Sequence, residues 1–309
     1  MKSEKTGCEP SPCETCGDAS CGSRQSGPQP AAPAQDNSRL NARLGRIRRK
    51  IIVMSGKGGV GKSTVAVNLA MQAMLSGQRV GLLDVDLHGP SVPTLLGLVG
   101  CRLESGEDGM LPVELGGLKV LSTGFLLQHP DDPVIWRGPM KMGVIRQFIE
   151  DVDWGDLDLL VIDVPPGTGD EPLSVLQLVP DVYGALVITT PQDVALADVR
   201  RSINFCRQLS VPVLGIVENM SYLVCPHCGS SVTAFPGPGG ERLAREMNVP
   251  LVARIPLDPR IGEGGDSGNP FVLSGTDLPA AQAFSDVVVA VVGGTADEDC
   301  YADSESDES

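Results

Sequence analysis

The stretch Ser55–Thr64, SGKGGVGKST, sets two lysines among four glycines. From Gly56 to Ser63 it fits G-x-x-x-x-G-K-[ST], with a strand-like apolar run before it and a helix-like run after it, the context a phosphate-binding loop requires. Gly56, Gly58, Gly59 and Gly61, with Val60 between them, let successive amide N–H groups curl around phosphate oxygens. Lys62 brings a point charge to the β and γ oxygens of ATP, and Ser63 brings a hydroxyl to Mg²⁺. Thr64 lies in the first turn of the following helix, whose positive end adds to the attraction. The bland alternative, a chance glycine-rich turn, explains neither flank. Lys57 is the odd member: inside the loop, a second ammonium for the same phosphates is redundant.

A magnesium–nucleotide site needs carboxylates at neighbouring strand ends. Asp163 closes the apolar run LLVID, and Asp84 and Asp86 close LLDVD. The i, i+2 spacing of Asp84 and Asp86 sends both side chains to one side of an extended chain. One, Asp84, is expected to hold a metal-bound water, and the other, Asp86, to orient the attacking water; Asp163 is the second metal-side carboxylate. An ordinary helix cap or turn is the alternative for each.

Nine cysteines supply the other chemistry. Cys225-Pro-His-Cys228 follows a strand-like run and can grip one edge of a metal or cluster, but two thiolates do not complete a four-ligand site. A zinc ribbon would want a second pair about 15–20 residues on, whereas the next cysteine is Cys300. A redox pair of the thioredoxin kind opens a helix after the first strand, which this one does not. Cluster, zinc and plain thiols all stay open from spacing alone, and His227 reads as loop filling. Cys8, Cys13, Cys16 and Cys21 lie in a segment with almost no large apolar side chains, spaced C-x4-C-x2-C-x4-C. With no core to pack in, they either bind metal (an iron–sulfur cluster or zinc) or are oxidation-prone free thiols. Cys101, Cys206 and Cys300 read as unrelated, Cys206 as a core residue.

Elements that could position these groups alternate along the chain. IIVMS feeds the glycine loop, and 63–76 follows as a helix closed by Gly77. RVGLLDVD, LKVL, LDLLVID, YGALVIT, VPVLGIVE and VPLVARI read as strands, with helices over 140–151, 194–209 and 279–292. This order predicts an α/β fold with a doubly wound, mostly parallel sheet, ligands lying beyond its carboxyl edge. The expected organisation is a flexible Cys-rich arm over 1–38, a basic helix or linker over 39–50, a single P-loop ATPase domain over 51–293, and an acidic disordered tail over 294–309.

Composition narrows the class. Hydrophobic residues make up 41% and aromatics 4%, with 37 Gly and 25 Pro, a mixture that suits an α/β enzyme and not a β-sandwich. The net charge of −15 disfavours binding to phosphodiester backbones. Residues 296–309 carry seven of the acidic groups and no basic one. No run approaches the ~20 apolar residues of a membrane helix, and the first residues lack a secretion pattern. The expectation is a cytoplasmic protein with no nucleic-acid or membrane partner, its cysteines reduced or metal-bound.

SGKGGVGKST resembles the deviant Walker A loop of the MinD/ParA/nitrogenase-iron-protein class. That resemblance implies a homodimer in which Lys57 reaches the partner's nucleotide, supplying charge only when two subunits meet, as an arginine finger does. DVDLHGPSVPTLLG, VIWRGPMK, LDLLVIDVPPGTGDEPLSV, ITTPQDVALADVRRSINF, IVENMSYLVCPHCG and IPLDPRI, in this order, are similar to the Mrp/ApbC family of iron–sulfur cluster carrier ATPases over about 48–292. The resemblance implies a [4Fe–4S] cluster held by Cys225 and Cys228 of two subunits and passed to apo-proteins. It also implies adenine contacts from Asn219, Pro256 and Asp258. Cys8, Cys13, Cys16 and Cys21 resemble the N-terminal cluster of the family's eukaryotic cytosolic scaffold branch, where the first gap is wider. The rival reading is a positioning ATPase of the MinD/ParA kind, without a cluster, favoured only by the basic segment 39–50. A further rival, an electron-transfer ATPase, would carry its cluster cysteines singly and far apart.

Overall fold

The strands are apolar on both faces because helices cover both, the signature of a parallel sheet. The computed structural model describes residues 38–126, 138–225, 227–235, 239–275 and 278–293. The chain divides into two units at Asp36/Asn37, and every described residue belongs to the second. It opens with α1 (Ser38–Leu44), β1 (Ile47–Ser55), α2 (Lys62–Leu75), β2 (Val80–Asp84) and the short α3 (Val92–Leu95). Next come the small ribbon of β3 (Glu104–Ser105) and β4 (Met110–Leu111), then β5 (Val113–Leu115), β6 (Leu118–Ser122) and α4 (Gly138–Glu150). The middle of the fold is β7 (Leu157–Asp163), α5 (Asp170–Leu178), β8 (Gly184–Thr189), α6 (Asp193–Gln208) and β9 (Val213–Glu218). A hairpin of β10 (Leu223–Val224) and β11 (Ser231–Val232) leads to α7 (Gly239–Met247), β12 (Leu251–Arg254), α8 (Pro259–Asp266) and α9 (Pro279–Val292).

The main sheet runs β12-β9-β8-β1-β7-β2-β6-β5, parallel throughout except for β5, which pairs antiparallel with β6 at one edge. Neighbours along each strand go to opposite cores. Ile51, Val53, Leu82 and Val161 join α2 and α9 on one face; Ile52, Met54, Leu83 and Ile162 join α1, α4 and α6 on the other. Gly77 (φ 89) stops α2 in the left-handed region, and Gln78 N–H closes the end on Ala73 C=O at 3.2 Å. With β1, β7 and β2 adjacent, the glycine loop and both aspartate-bearing strand ends meet at one edge.

The first strand starts at Ile47, before the expected Ile51, so 39–50 is not a linker. Hydropathy missed the strand's first half because two of its cations are buried. Arg49 is 6% and Lys50 5% exposed. The Arg49 guanidinium lies 5.2 Å from the Tyr183 ring centroid and donates to Val292 C=O at 2.7 Å. Burial lowers the Lys50 pKa, and Nζ donates to Leu44 C=O at 3.4 Å. Long apolar stems make this possible. Helix α1 buries Leu40 and Leu44, and its basic face is met by carboxylates: Arg39 with Asp151 at 3.2 Å and Arg43 with Asp153 at 2.7 Å. Arg46 pairs with Asp156 at 2.9 Å. The one feature that favoured a DNA- or membrane-binding role is therefore engaged within the fold. No helix among the described residues is long and apolar enough to cross a membrane.

Replacing Leu160, wholly buried in β7, by Ala should cost about 2–5 kcal/mol in urea denaturation. Removing the exposed Arg46 pair with Arg46→Ala should leave the urea midpoint almost unchanged, because water and salt screen such a pair.

Candidate functional site

The phosphate loop spans the gap between β1 and α2. Ser55 Oγ donates to Lys57 C=O at 2.9 Å, and Ser55 C=O accepts from Gly167 N–H at 2.7 Å, tying the loop to the segment after β7. A Cβ at Gly58 or Gly59 would meet nothing within 4 Å, so their backbone borders an open cradle. Gly61 (φ 81) is obligatory: a Cβ there would lie 2.3 Å from Asn219 Nδ2. Gly56 is as crowded, its Cβ position 2.5 Å from Asp198 on α6. Lys57 is half-buried, and its ammonium has no hydrogen-bond or ion-pair partner among the described residues. Lys62, 7% exposed, pairs with Asp163 and lies 3.2 Å from Ser63 Oγ.

Asp84 and Asp163 sit opposite one another in the β2–β7 register, and both are fully buried. Asp84 Oδ2 accepts from Ser122 Oγ at 2.8 Å and Oδ1 from Asp86 N–H at 3.0 Å. Burial, together with the neighbouring Asp163 charge, pushes the Asp84 carboxyl up to about 7. Burial also raises Asp163, against the pull of the Lys62 ammonium. Asp163 Oδ2 is buried with no hydrogen-bond partner among the described residues. An orphaned carboxylate oxygen beside a serine hydroxyl fits a divalent cation with its water shell.

Asp86 departs from the expected arrangement. The strand ends at Asp84, and Asp86 lies in the turn beyond, half-buried, its Oδ1 accepting from His88 N–H and Gly89 N–H, each at 3.2 Å. Side chains at i and i+2 share a side only along an extended chain, and here the Asx turn bends it beyond Asp84. Asp86 thus shapes its own loop, and His88 Nε2 in that loop stands 3.2 Å from Glu171 Oε1 of α5.

A cavity of about 290 Å³ opens beside the loop, lined by Gly61, Asn219, Met220, Pro256, Leu257 and Asp258 among others. All three residues expected near adenine line it. Asn219 Nδ2 also donates to Val60 C=O at 2.9 Å. The Asp258 carboxylate, however, caps α8 through Arg260 N–H at 3.0 Å and is held below its ordinary range by the Arg260 guanidinium. It shapes the cavity wall instead of pointing a free carboxylate at a ligand.

Cys225 and Cys228 stand at the tip of the β10–β11 hairpin, Cys225 half-buried and Cys228 exposed. The turn is closed by Cys225 N–H to Ser230 C=O and Gly229 N–H to Cys225 C=O, both 2.9 Å. Hydrogen bonds from the Ser230 side chain and backbone, and then from Cys225, lower the Cys228 thiol pKa. Cys206 is a core residue, as expected; burial pushes its thiol up to about 11. Cys8, Cys13, Cys16, Cys21, Cys300 and the acidic tail lie outside the described residues.

A family model described as NUBPL iron-transfer P-loop NTPase, within the ParA group, matches residues 46–292. The chain belongs to this family of iron-transfer P-loop NTPases. An iron-sulfur cluster carrier protein from Methanocaldococcus jannaschii is similar to it, 46% identical over 260 residues, 84% of this chain and 89% of that protein. A nucleotide-binding protein from Archaeoglobus fulgidus, solved in complex with ADP and with cobalt found in it, superposes with TM-score 0.69. It is 40% identical, covering 76% of this chain and 92% of that one. The cell-division ATPase MinD of Pyrococcus furiosus superposes at TM-score 0.58 with 26% identity, covering 79% and 98% of the two chains.

For an iron-transfer NTPase, sequence reasoning missed four positions. Ser122 clamps Asp84, Asp198 backs Gly56, and Met220 and Leu257 line the cavity. Only Ser122 had a signal, its place at the end of a strand next to β2.

Above its ordinary value near 3.8 the unfolded Asp84 has lost the proton that the folded chain keeps to about pH 7. Stability of nucleotide- and metal-free protein should therefore fall as pH rises across that window. Asp84→Asn should flatten the dependence and make the protein more stable than the unaltered chain at pH 8, read by urea denaturation at pH 5 and 8.

Proposed function

We propose that the chain is an ATP-hydrolysing carrier that works in the cytoplasm as a homodimer. It takes up a [4Fe–4S] cluster between two copies and passes it to apo-proteins. The observation that carries this reading is a cysteine pair displayed on a hairpin that springs from the strand end beside the phosphate loop. The similar proteins named for cluster carrying support it. Two thiolates from one chain leave a four-iron cluster half-ligated. Cys225 and Cys228 from two copies complete it, and transfer is then exchange of these thiolates for a client's, with no net redox change.

Backbone N–H groups of Gly58–Lys62 hold the phosphates, and the cavity by Asn219, Pro256 and Leu257 holds the base. Lys62 must leave Asp163 to reach the β and γ oxygens. Ser63, with Asp163 and Asp84 behind it, would hold Mg²⁺, which neutralises phosphate charge. Asp86, whose Oδ1 closes its own turn, is left with Oδ2 to orient the attacking water. The water oxygen bonds to the γ phosphorus as the β–γ bridge breaks, giving ADP and phosphate, and the water's proton leaves with phosphate. Lys57, unpartnered among the described residues, is suited to reach the γ oxygens of a second copy.

Iron and sulfide analysis tests the cluster. A chain shortened to begin at Arg39 should hold about two iron atoms per copy, half of a shared four-iron cluster. The same chain with Cys225→Ala and Cys228→Ala should hold none; equal iron in both would end the proposal. Lys57→Ala should lower ATP turnover by about 1,000-fold, with ADP binding to the single chain kept, by calorimetry.

A further inference from the structure

Glu218 is a carboxylate with only 4% exposure that the chemistry above does not use. It ends β9, directly before Asn219, and the chain then leaves the sheet for the cysteine hairpin and returns at α7. Both ends of that excursion meet on this one side chain. At the outgoing end Ser221 Oγ donates to Glu218 Oε1 at 2.5 Å. At the returning end Gly240 N–H donates to Oε2. A Cβ at Gly239 or Gly240 would lie 2.4 or 2.9 Å from Oε2, so the first turn of α7 admits the carboxylate only because it is glycine. Arg254 Nε on β12 stands 3.7 Å from Oε1.

The same short stretch is bonded to the cavity wall. Ile255 N–H donates to Glu218 C=O at 2.9 Å, Ser221 N–H to Ile255 C=O at 2.9 Å, and Leu257 N–H to Tyr222 C=O at 2.7 Å. Between them Met220, a cavity residue, is held in the left-handed region at φ 54, a conformation unusual without glycine. A ligand pressing on Asn219, Met220 or Leu257 therefore presses on the stem of β10, and Cys225 follows that strand directly.

We propose that Glu218 is a positioning residue: it clasps both ends of the excursion, so that filling the base cavity moves the cysteine hairpin. This rests on the reading that the cavity takes the nucleotide base and the hairpin takes the cluster. The coupling runs through the base, so the phosphates alone do not drive it.

The test uses the full chain, free of cluster, and measures iodoacetamide labelling of Cys225 and Cys228 by peptide mass spectrometry. Saturating ADP should change the labelling rate by about fivefold or more, whereas saturating tripolyphosphate, which has no base, should leave it unchanged. Glu218→Gln, and the milder Ser221→Ala should the first not fold, should abolish the ADP response while calorimetry still shows ADP bound and the melting temperature stays near that of the unaltered chain. A structural role alone would not separate ADP from tripolyphosphate. Equal responses to the two ligands, or a full ADP response in variants that bind ADP, would overturn the proposal. Labelling needs no iron, so a chain that fails the iron analysis can still pass or fail here independently.

Discussion

Two carboxylates and one ammonium, Asp84, Asp163 and Lys62, are confined in a pocket from which water is excluded. Apolar burial supplies the confinement, since the strands that end in these aspartates are buried on both faces. Charge sets the cost: one excess negative group in a low-dielectric edge is unfavourable unless it takes a proton or a cation. Burial and the Asp163 charge push the Asp84 carboxyl toward its neutral form, and Lys62 turns inward to Asp163. The unpaired oxygen of Asp163 records that this compensation is incomplete. The phosphate cradle, the serine hydroxyl and the open backbone of Gly58 and Gly59 are arranged around that deficit.

A second constraint lies at the end of β9, with β8 and β1 between it and β7. The hairpin with Cys225 and Cys228 has little packing of its own, with β10 half-buried and β11 exposed. Its orientation comes from its roots, Glu218 to Tyr222, which are also the edge of the base cavity. The residues that shape the cavity and those that root the cysteine hairpin are thus only a few positions apart.

Much of this was legible in the residues. The glycine loop, the aspartates at strand ends and the helix after the loop follow from spacing and apolar runs. The seven strands of the parallel portion do so as well, with β1 the one whose start departs furthest, at Ile47 against the expected Ile51. Three things were not legible, each for a physical reason. Arg49 and Lys50 hide their burial, because their polar tips find carbonyls and an aromatic face that lie far off in sequence. Asp86 sits in a turn that its own carboxylate creates, so a rule for extended chains misplaced it. Glu218 reads as a polar strand end, and only the return of the chain at Gly240 gives it a second partner.

The last helix, α9, lies against α2, the helix that carries the phosphate-loop lysine, and buries Phe284, Val287 and Val291 there. Its final turn is pinned to β1 by Arg49. During synthesis the glycine loop emerges from the ribosome long before α9 does. Until α9 arrives, α2 has one side bare, so the helix that carries Lys62 gains its full apolar support only from the far end of the sequence.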